Sequence, residues 1–415
     1  MTREGRLLST YMGLTTSVTG FLQPFVPIYL LESGLTKSQI GLVAGSGAAM
    51  AFLVQPILGK LSDRFDTRRP FVAAVAIIAA IAYLSFPFLR GAPAFLFAVA
   101  LGFNATLYMQ GVSGVLVGRL ALKGKGGATY AAYRVWGSVA YVFVALAVGL
   151  ILKPEGGHGR NPLNLVFEIG PLIFFAIAGL AYWLPDPRRP VQLDEDPGHQ
   201  KATLHPNLKR FLAVDFLYIV SLYGATNFIS IFMLHLGGRG LFLSCVFLPG
   251  VIVETMVMRY SGELSDRYGR RPVLAVSYVL LPFRLLIYSV ALNPWWVLGA
   301  QSLHGFNYGI VGAVAIAFVN DQADHRTRGA LQAKLALVTA AAGATGPALM
   351  GMVADHYGLP TMFVVAAALA LVAAIVFLLF VDESNDHAKG TGFPFLDRAL
   401  YPFRLENHLT RRTQR

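Results

Sequence analysis

Long apolar segments recur along the whole chain, separated by short polar stretches. Twelve of them have about the 20 residues that an α-helix needs to cross the hydrocarbon core of a bilayer. Their predicted ranges are 7–32, 38–59, 70–90, 94–118, 129–152, 164–184, 209–236, 241–262, 272–291, 294–318, 329–352 and 359–381. The pattern therefore predicts an all-α membrane protein with twelve transmembrane helices.

The longest polar interruption, PDPRRPVQLDEDPGHQKATLHPNL, divides these spans six and six. Its proline and charge content is typical of a solvated linker. The sequence thus predicts a six-helix bundle over 1–184, a cytoplasmic linker over 185–208 and a second bundle over 209–381. The tail, 382–415, interleaves aromatic residues with arginine, which fits either a short helix on the lipid surface or a disordered segment.

Charge indicates how the spans are oriented. The chain has 34 Lys and Arg against 22 Asp and Glu, and its basic residues lie between the apolar segments. Such residues set membrane orientation, whereas nucleic-acid binding requires a basic face on a soluble domain. We therefore predict a multi-pass inner-membrane protein with both termini in the cytoplasm. In this topology, five basic residues lie in loops on the side of the membrane away from the cytoplasm: Lys37, Arg90, Lys153, Arg160 and Arg239.

Several kinds of chemistry find no support in the sequence. The nine histidines are scattered without cysteine or carboxylate partners at ligand spacing, so no metal or other cofactor is expected. Cys245 is the single cysteine and lies in an apolar run, where packing is its expected role. No nucleophile is accompanied by a base inside a span, so we predict that the chain is not an enzyme. The expected partners are a small-molecule substrate, the proton and the lipid bilayer.

A charged phrase occurs twice, as GKLSDRFDTRRP at 59–70 and GELSDRYGRRP at 262–272. Each copy follows the second span of its half, which indicates an internal repeat. Its glycine permits a close helix contact, its acid can accept hydrogen bonds from a helix N-terminus, and its arginines can bind carboxylates or lipid phosphate. We predict that these phrases control a conformational change through Gly59, Asp63, Arg64, Gly262, Asp266 and Arg267.

The two phrases and their positions resemble the signature loops of the major facilitator superfamily. The resemblance implies two pseudo-symmetric six-helix bundles around a central cavity that opens alternately to each side, in a monomer. The first phrase departs from the family pattern, because Asp66 stands where a glycine is usual. We expect this difference to alter the turn.

Four further segments resemble the branch of oligosaccharide and nucleoside proton symporters that includes lactose-permease-like and phenylpropionate-carrier-like proteins. They are FVPIYLLESGLTKSQIGLV at 25–43, QPILGKLSD at 55–63, RVWGSVAY at 134–141 and SLHGFN at 302–307. The resemblance implies that Arg134 contacts substrate. A coupling glutamate of lactose-permease-like proteins is replaced here by Asn307, so lactose is a poor candidate and another group must carry the proton.

One face of the fifth span carries Arg134, Ser138 and Tyr141, at spacings i, i+4 and i+7. A buried arginine can donate several hydrogen bonds to hydroxyls or a carboxylate, and an aromatic ring can stack on a sugar or a base. This face predicts a substrate-binding surface. The alternative is that Arg134, near the end of its span, extends to the lipid headgroups.

Three ionisable residues lie within spans eight, nine and ten: Glu254, Arg284 and His304. Charges at such depth are costly unless they are paired or line water. We predict that they form the proton-coupling group, with Glu254 as the carrier, because relatives in the nucleoside and phenylpropionate groups also have a glutamate in span eight. A fixed ion pair with a hydrogen-bonded histidine is the alternative.

Other polar residues within spans are expected to face the bundle interior and bind substrate. They are Gln23, Asn104, Gln110, Asn227, Gln301 and Tyr308. Hydrogen bonds between helices are the alternative role. We predict secondary active transport of a sugar, glycoside or nucleoside by alternating access with proton symport. The main alternative is a proton-coupled exporter of drugs or other amphiphiles, and an intramembrane enzyme or a ligand sensor is a third hypothesis.

Overall fold

The computed structural model describes residues 3–120, 130–151, 163–186, 204–324 and 327–385. Fifteen α-helices lie within these ranges. They are α1 Arg3–Glu32, α2 Lys37–Arg64, α3 Arg69–Leu84, α4 Ala92–Leu120, α5 Tyr130–Ile151, α6 Asn164–Ile169, α7 Leu172–Ala181, α8 Pro206–Thr226, α9 Ile229–His235, α10 Leu241–Ser244, α11 Leu248–Tyr268, α12 Arg270–Ser289, α13 Pro294–Asp321, α14 Arg328–Tyr357 and α15 Leu359–Phe380.

These helices account for all twelve predicted spans, and eleven segments are long and apolar enough to cross a membrane. In the fifth, α5, the apolar helix Val135–Ile151 is shorter. Spans six, seven and eight are each broken, into α6 and α7, α8 and α9, and α10 and α11. The break between α6 and α7 falls at Gly170 and Pro171, because proline lacks the N–H that would continue the helix.

Several helix boundaries differ from the prediction by a few residues, and two of these differences concern the linker and the second charged phrase. Helix α8 begins at Pro206, within the segment expected to be linker, where His205 caps it by accepting from the backbone N–H of Asn207 at 3.3 Å. Helix α11 continues to Tyr268, so most of the second charged phrase is helical. The remainder of the linker, 187–203, and the tail beyond Asn385 lie outside the described residues.

The two halves pack their helices in the same way. In the first half, α1 packs on α5, α2 on α4, and α3 on both α4 and α7. In the second half, α8 packs on α14, α11 on α13, and α12 on both α13 and α15. Because these pairings join equivalent spans, the predicted internal repeat is a repeat of structure as well as of sequence.

The bundle has two ends, which we name by their loops. The charged end carries the two charged phrases, and the opposite end carries the loop 33–36 between α1 and α2. At the opposite end α2 meets α14 closely, with Gly41 facing Pro347 and Gly45 facing Ala344. A side-chain carbon at either glycine would collide with backbone carbonyl oxygen, so only glycine allows this approach.

Two further contacts join the halves at the opposite end. The Ser38 hydroxyl, in the first turn of α2, donates to Asp355 Oδ2 near the end of α14 at 2.8 Å. Gly149 of α5 packs directly against Ser244 and Leu241 of α10. The described close contacts between the halves thus lie from this end to the middle of the bundle.

Candidate functional site

A layer of polar side chains crosses the middle of the second half. Gln301, His304 and Asn307 lie on α13, and all three are buried. The His304 ring stacks on Tyr308 with 4.2 Å between ring centroids. Gly250 of α11 lies beside this ring, and a side-chain carbon there would come within 2.9 Å of His304. The glycine therefore allows α11 to pack over the histidine.

Arg284 is fully buried on α12 and is held by neutral groups. Its Nη1 donates to Asn307 Oδ1 at 2.9 Å, and its Nε donates to the Tyr288 hydroxyl at 3.2 Å. Asn307 is fixed in turn, since its amide donates to the Ser277 carbonyl at 2.9 Å. The described hydrogen bonds of Arg284 thus go to uncharged partners, and a proton-coupling group of Glu254, Arg284 and His304 stays a prediction.

Several buried polar atoms in this layer have no hydrogen-bond partner among the described residues. They are Arg284 Nη2, both amide atoms of Gln301 and His304 Nδ1. Buried polar groups are nearly always satisfied, because an unmade hydrogen bond costs about 1–3 kcal/mol. These four atoms are therefore the candidate positions for contact with a ligand or water in the second half.

Glu254 lies on α11, half-buried at the boundary between the halves. Three tyrosines, Tyr141, Tyr223 and Tyr308, lie in the neighbourhood of its carboxyl group. The rings of Tyr223 and Tyr308 stack with 5.8 Å between centroids. Glu254 therefore lies near tyrosines of α5, α8 and α13.

Two of the three predicted residues of α5 reach this boundary. The Ser138 hydroxyl shares a hydrogen bond of 2.7 Å with that of Thr255 on α11, which joins the two halves. Tyr141 is buried against Gly20 of α1, and its hydroxyl has no described partner. The side chain of Arg134 lies outside the described residues, so its contact with substrate stays a prediction.

The remaining predicted substrate residues lie in different surroundings. Asn104 Oδ1 accepts from Gln55 Nε2 at 2.7 Å, which ties α4 to α2 within the first half. The Asn227 amide donates to the Tyr223 carbonyl at 2.8 Å, where α8 ends. Gln110 is half-buried and Gln23 is exposed. Asn104 thus makes a hydrogen bond between helices, which was the alternative role, whereas the bond of Asn227 is local to the end of its own helix.

The first charged phrase forms a network inside its own half. Arg68 donates from Nη2 to Asp63 and from Nη1 to Ser62, both at 2.5 Å. Asp186, just after α7, accepts from the Thr67 hydroxyl at 2.9 Å and from the backbone N–H of Arg68 at 2.5 Å. The acid thus holds the turn that leads into α3.

The second charged phrase repeats this network. Arg270 pairs with Asp266 and donates to Ser265 Oγ at 2.6 Å. Glu383, just after α15, accepts from the backbone N–H groups of Arg270 and Arg271 at 2.9 and 3.0 Å. Arg270 also bonds to Asp321 at the end of α13 at 3.0 Å.

The gating role of the six residues stays a prediction, and their described contacts differ from those that the sequence suggested. Gly59 and Gly262 make no close helix contact, because a side-chain carbon at either would meet no atom within 4 Å. Arg68 and Arg270 form the described pairs with the two acids, whereas Arg64 is exposed and Arg267 lies over the Tyr268 ring. All six predicted residues lie on the final turns of helices α2 and α11 rather than in loops.

Sequence reasoning missed the acids Asp186, Glu383 and Asp215. Asp186 and Glu383 could have been recognised as equivalent residues, because each closely follows the sixth span of its half. Asp215 lies inside α8, where it is 1% exposed and accepts from the Tyr278 hydroxyl at 3.0 Å. An acid within a span was the available signal.

A cavity of about 550 Å³ lies between α1 and α5, towards the charged end. Its lining is mainly apolar, with polar groups from Arg6, Ser9 and Thr10. It does not include the polar layer of the second half. Among the described residues, no three His, Cys, Asp or Glu side chains come together as metal ligands do.

The MFS_1 like family matches residues 7–365 of this chain. An uncharacterized MFS-type transporter of Mycobacterium tuberculosis is 27% identical over 92% of this chain and 94% of its own length. The maltose permease of Geobacillus stearothermophilus is 22% identical over 88% of this chain and 92% of its own length.

The fold is that of a solved transporter. The nucleoside transporter NupG, in its D323A mutant, superposes with a TM-score of 0.78 at 16% identity, over 92% of this chain and all of that one. The prediction of a transporter rather than an enzyme is confirmed, since this family consists of transporters. The chain belongs to the MFS_1 like family and is a secondary transporter of the major facilitator superfamily.

Proposed function

We propose that this transporter imports a small polar solute containing a ring, such as a sugar, glycoside or nucleoside, by proton symport. The observation that carries the proposal is the layer around Arg284, in which buried donors and acceptors without partners lie beside stacked aromatic rings. Such donors suit hydroxyl and carbonyl groups, and the rings suit a sugar face or a base. Maltose permease and NupG, which are similar to this chain, are named for solutes of this kind.

Glu254 is the proposed proton carrier. It lies on α11 between the halves, beside the tyrosines that would contact solute. A carboxyl group at a boundary that opens and closes changes its access to water in each cycle, so proton uptake and solute binding can be linked there. With Glu254 as its proton carrier, the chain would fit the branch of oligosaccharide and nucleoside proton symporters.

We place the charged end in the cytoplasm, because the basic residues are concentrated at that end. The contacts of α2 with α14 then close the outer side of the protein. The structure would correspond to the inward-facing state, from which solute leaves into the cytoplasm.

The test uses purified protein in liposomes with an imposed proton gradient. Labelled sugars, glycosides and nucleosides are offered singly, and solute uptake and external pH are recorded together. We expect one class to accumulate while the external medium becomes alkaline, and an uncoupler to abolish accumulation. Glu254→Gln should abolish it as well.

Glu263→Gln is the matched control, because Glu263 lies on the same helix but is exposed at the charged end. This variant should accumulate solute normally. Uptake that an uncoupler leaves unchanged would contradict symport. Proton-driven loss of lipophilic cations, with no uptake of any ring-containing solute, would instead establish the exporter.

A further inference from the structure

Helix α8 buries a carboxyl group that has no part in the function proposed above. Asp215 is the tenth residue of α8, about 14 Å along the helix from its start. It is 1% exposed, and its Oδ1 accepts a hydrogen bond of 3.0 Å from the Tyr278 hydroxyl of α12. The described ion pairs do not include Asp215.

The space around the Asp215 pair is filled by aromatic rings. Tyr218, one turn along α8, lies over Tyr278 with 4.4 Å between ring centroids. Phe377 of α15 also stacks on Tyr278, with 4.3 Å between ring centroids. This packing separates the carboxyl group from bulk water and from the boundary between the halves.

Few charged groups face this site from the neighbouring helices. Helix α12 contributes Tyr278. It also carries Arg284, which lies beyond Tyr218 and makes its own hydrogen bonds to Asn307 and Tyr288. Helix α15 has no ionisable residue, and α14 carries Lys334 in a half-buried position. On α8 itself, Tyr218 and Tyr223 are the nearby titratable groups.

An ionised carboxylate in such a place is costly, because a single neutral hydroxyl replaces the water that would otherwise solvate it. A neutral carboxylic acid keeps the hydrogen bond from Tyr278 and avoids that cost. The favoured form therefore depends on how tightly α8, α12 and α15 are packed. Helix α8 also packs on α14, the helix that meets α2 of the other half.

We propose that Asp215 is a second proton-binding site of the transporter, within the second half and away from Glu254. It takes up a proton from water as the surrounding helices close around it, keeps the proton while they are sealed, and returns it to water when α14 shifts against α8. Its part in transport rests on the proposed proton coupling, but the presence of the site does not.

Infrared difference spectroscopy tests the site on the purified full chain without any solute. Spectra are recorded as the buffer is changed from acidic to alkaline, and the C=O stretch of protonated carboxyl groups is followed. We expect wild-type protein to lose a band from a buried carboxylic acid. The band should be absent in Asp215→Asn and retained in Glu254→Gln.

Tyr278→Phe provides a second test, which remains available if Asp215→Asn does not fold. It removes only the hydroxyl that donates to Asp215, so the C=O bond is strengthened and the band should move to higher wavenumber. A wild-type protein without such a band would overturn the proposal. The same conclusion would follow if the band persisted in Asp215→Asn, or if it kept its position in Tyr278→Phe. Failure to find a transported solute would affect only the proposed function.

Discussion

The two ends of the bundle are held together in different ways. At the opposite end, contacts cross from one half to the other, through glycines of α2 against the backbone of α14 and through Ser38 and Asp355. At the charged end, the hydrogen bonds of Arg68 and Arg270 each join residues of the same half. One end therefore connects the halves, and the other reinforces each half separately.

This difference suits two bodies that move against each other. Contacts through glycine are mainly van der Waals contacts, which can separate without leaving buried charges unpaired. The charged networks tie the start of α3 to the residues after α7, and the start of α12 to those after α15. Each half can thus keep its shape while the contact between halves opens.

The largest expected effect comes from Gly41→Leu at the opposite end. The leucine cannot fit against Pro347, so closure of this end should fail and transport should fall at least tenfold. Cys245 reports the opening directly, because it is the single cysteine and lies beside the Gly149 contact. Its labelling by a membrane-impermeant thiol reagent should rise several-fold.

Gly179→Leu is the control for this variant. Gly179 is also a helical glycine of the first half, but a side-chain carbon there meets no atom within 4 Å. Transport and Cys245 labelling should match those of the wild type. Normal transport by Gly41→Leu would show that the close approach of α2 and α14 is not needed in the cycle.

A smaller effect is expected from Asp355→Asn at the same end. Its carboxylate accepts from Ser38 at the start of α2, where negative charge is favourable. The amide keeps an acceptor but loses the charge, so Cys245 labelling should rise by about two- to fivefold. His356→Ala is the control, because His356 bonds within its own helix to the Met352 carbonyl. Equal labelling in both variants would argue against a role for the charge.

Substitutions at the charged end should change the stability of the protein rather than the opening between its two halves. Arg270 bonds to Ser265, Asp266 and Asp321, whereas Arg68 bonds to Ser62 and Asp63. Lysine cannot reproduce the forked geometry of arginine. We therefore expect Arg270→Lys to lower the free energy of unfolding by about 1–2 kcal/mol, and Arg68→Lys to lower it by less.

Thermal unfolding and Cys245 labelling together check this prediction. Neither lysine variant should change the labelling, since both arginines act within one half. In an Asp321→Asn background, Arg270→Lys and Arg68→Lys should lower the free energy of unfolding by nearly the same amount. If Arg68→Lys lowered the free energy of unfolding more than Arg270→Lys does, the number of hydrogen-bond partners would not explain which charged phrase contributes more to stability.

The sequence predicts the fold more fully than it predicts the contacts. Each span is readable because crossing a bilayer demands a long apolar run, and the repeated phrase is readable because its copies are nearly identical. The partners Asp186 and Glu383 are more than 100 residues from the phrases they bind, and no local pattern links them.

The glycines show the same limit. Gly59 and Gly262 were expected to permit close helix contacts, but a side-chain carbon there would meet no described atom within 4 Å, whereas Gly41 and Gly45 lie against the backbone of α14. Glycine permits a close approach, but the sequence does not specify which neighbour arrives or in which conformational state. Asp215 could have been noticed as an acid within a span, but its enclosure by rings from α12 and α15 as well as its own helix is visible only in the structure.

The smallest effect should come from Asp66→Gly in the first charged phrase. Asp66 has φ of 47°, in the left-handed region, and the second phrase has Gly269 near the equivalent position with φ of 104°. Glycine removes the strain of a side chain in that region but adds conformational freedom to the unfolded chain. The two effects nearly cancel, so unfolding free energy should change by no more than about 0.5 kcal/mol. A loss well above that value, measured by thermal unfolding, would mean that the Asp66 side chain itself holds the turn, and the two loops would then differ in their interactions as well as in their length.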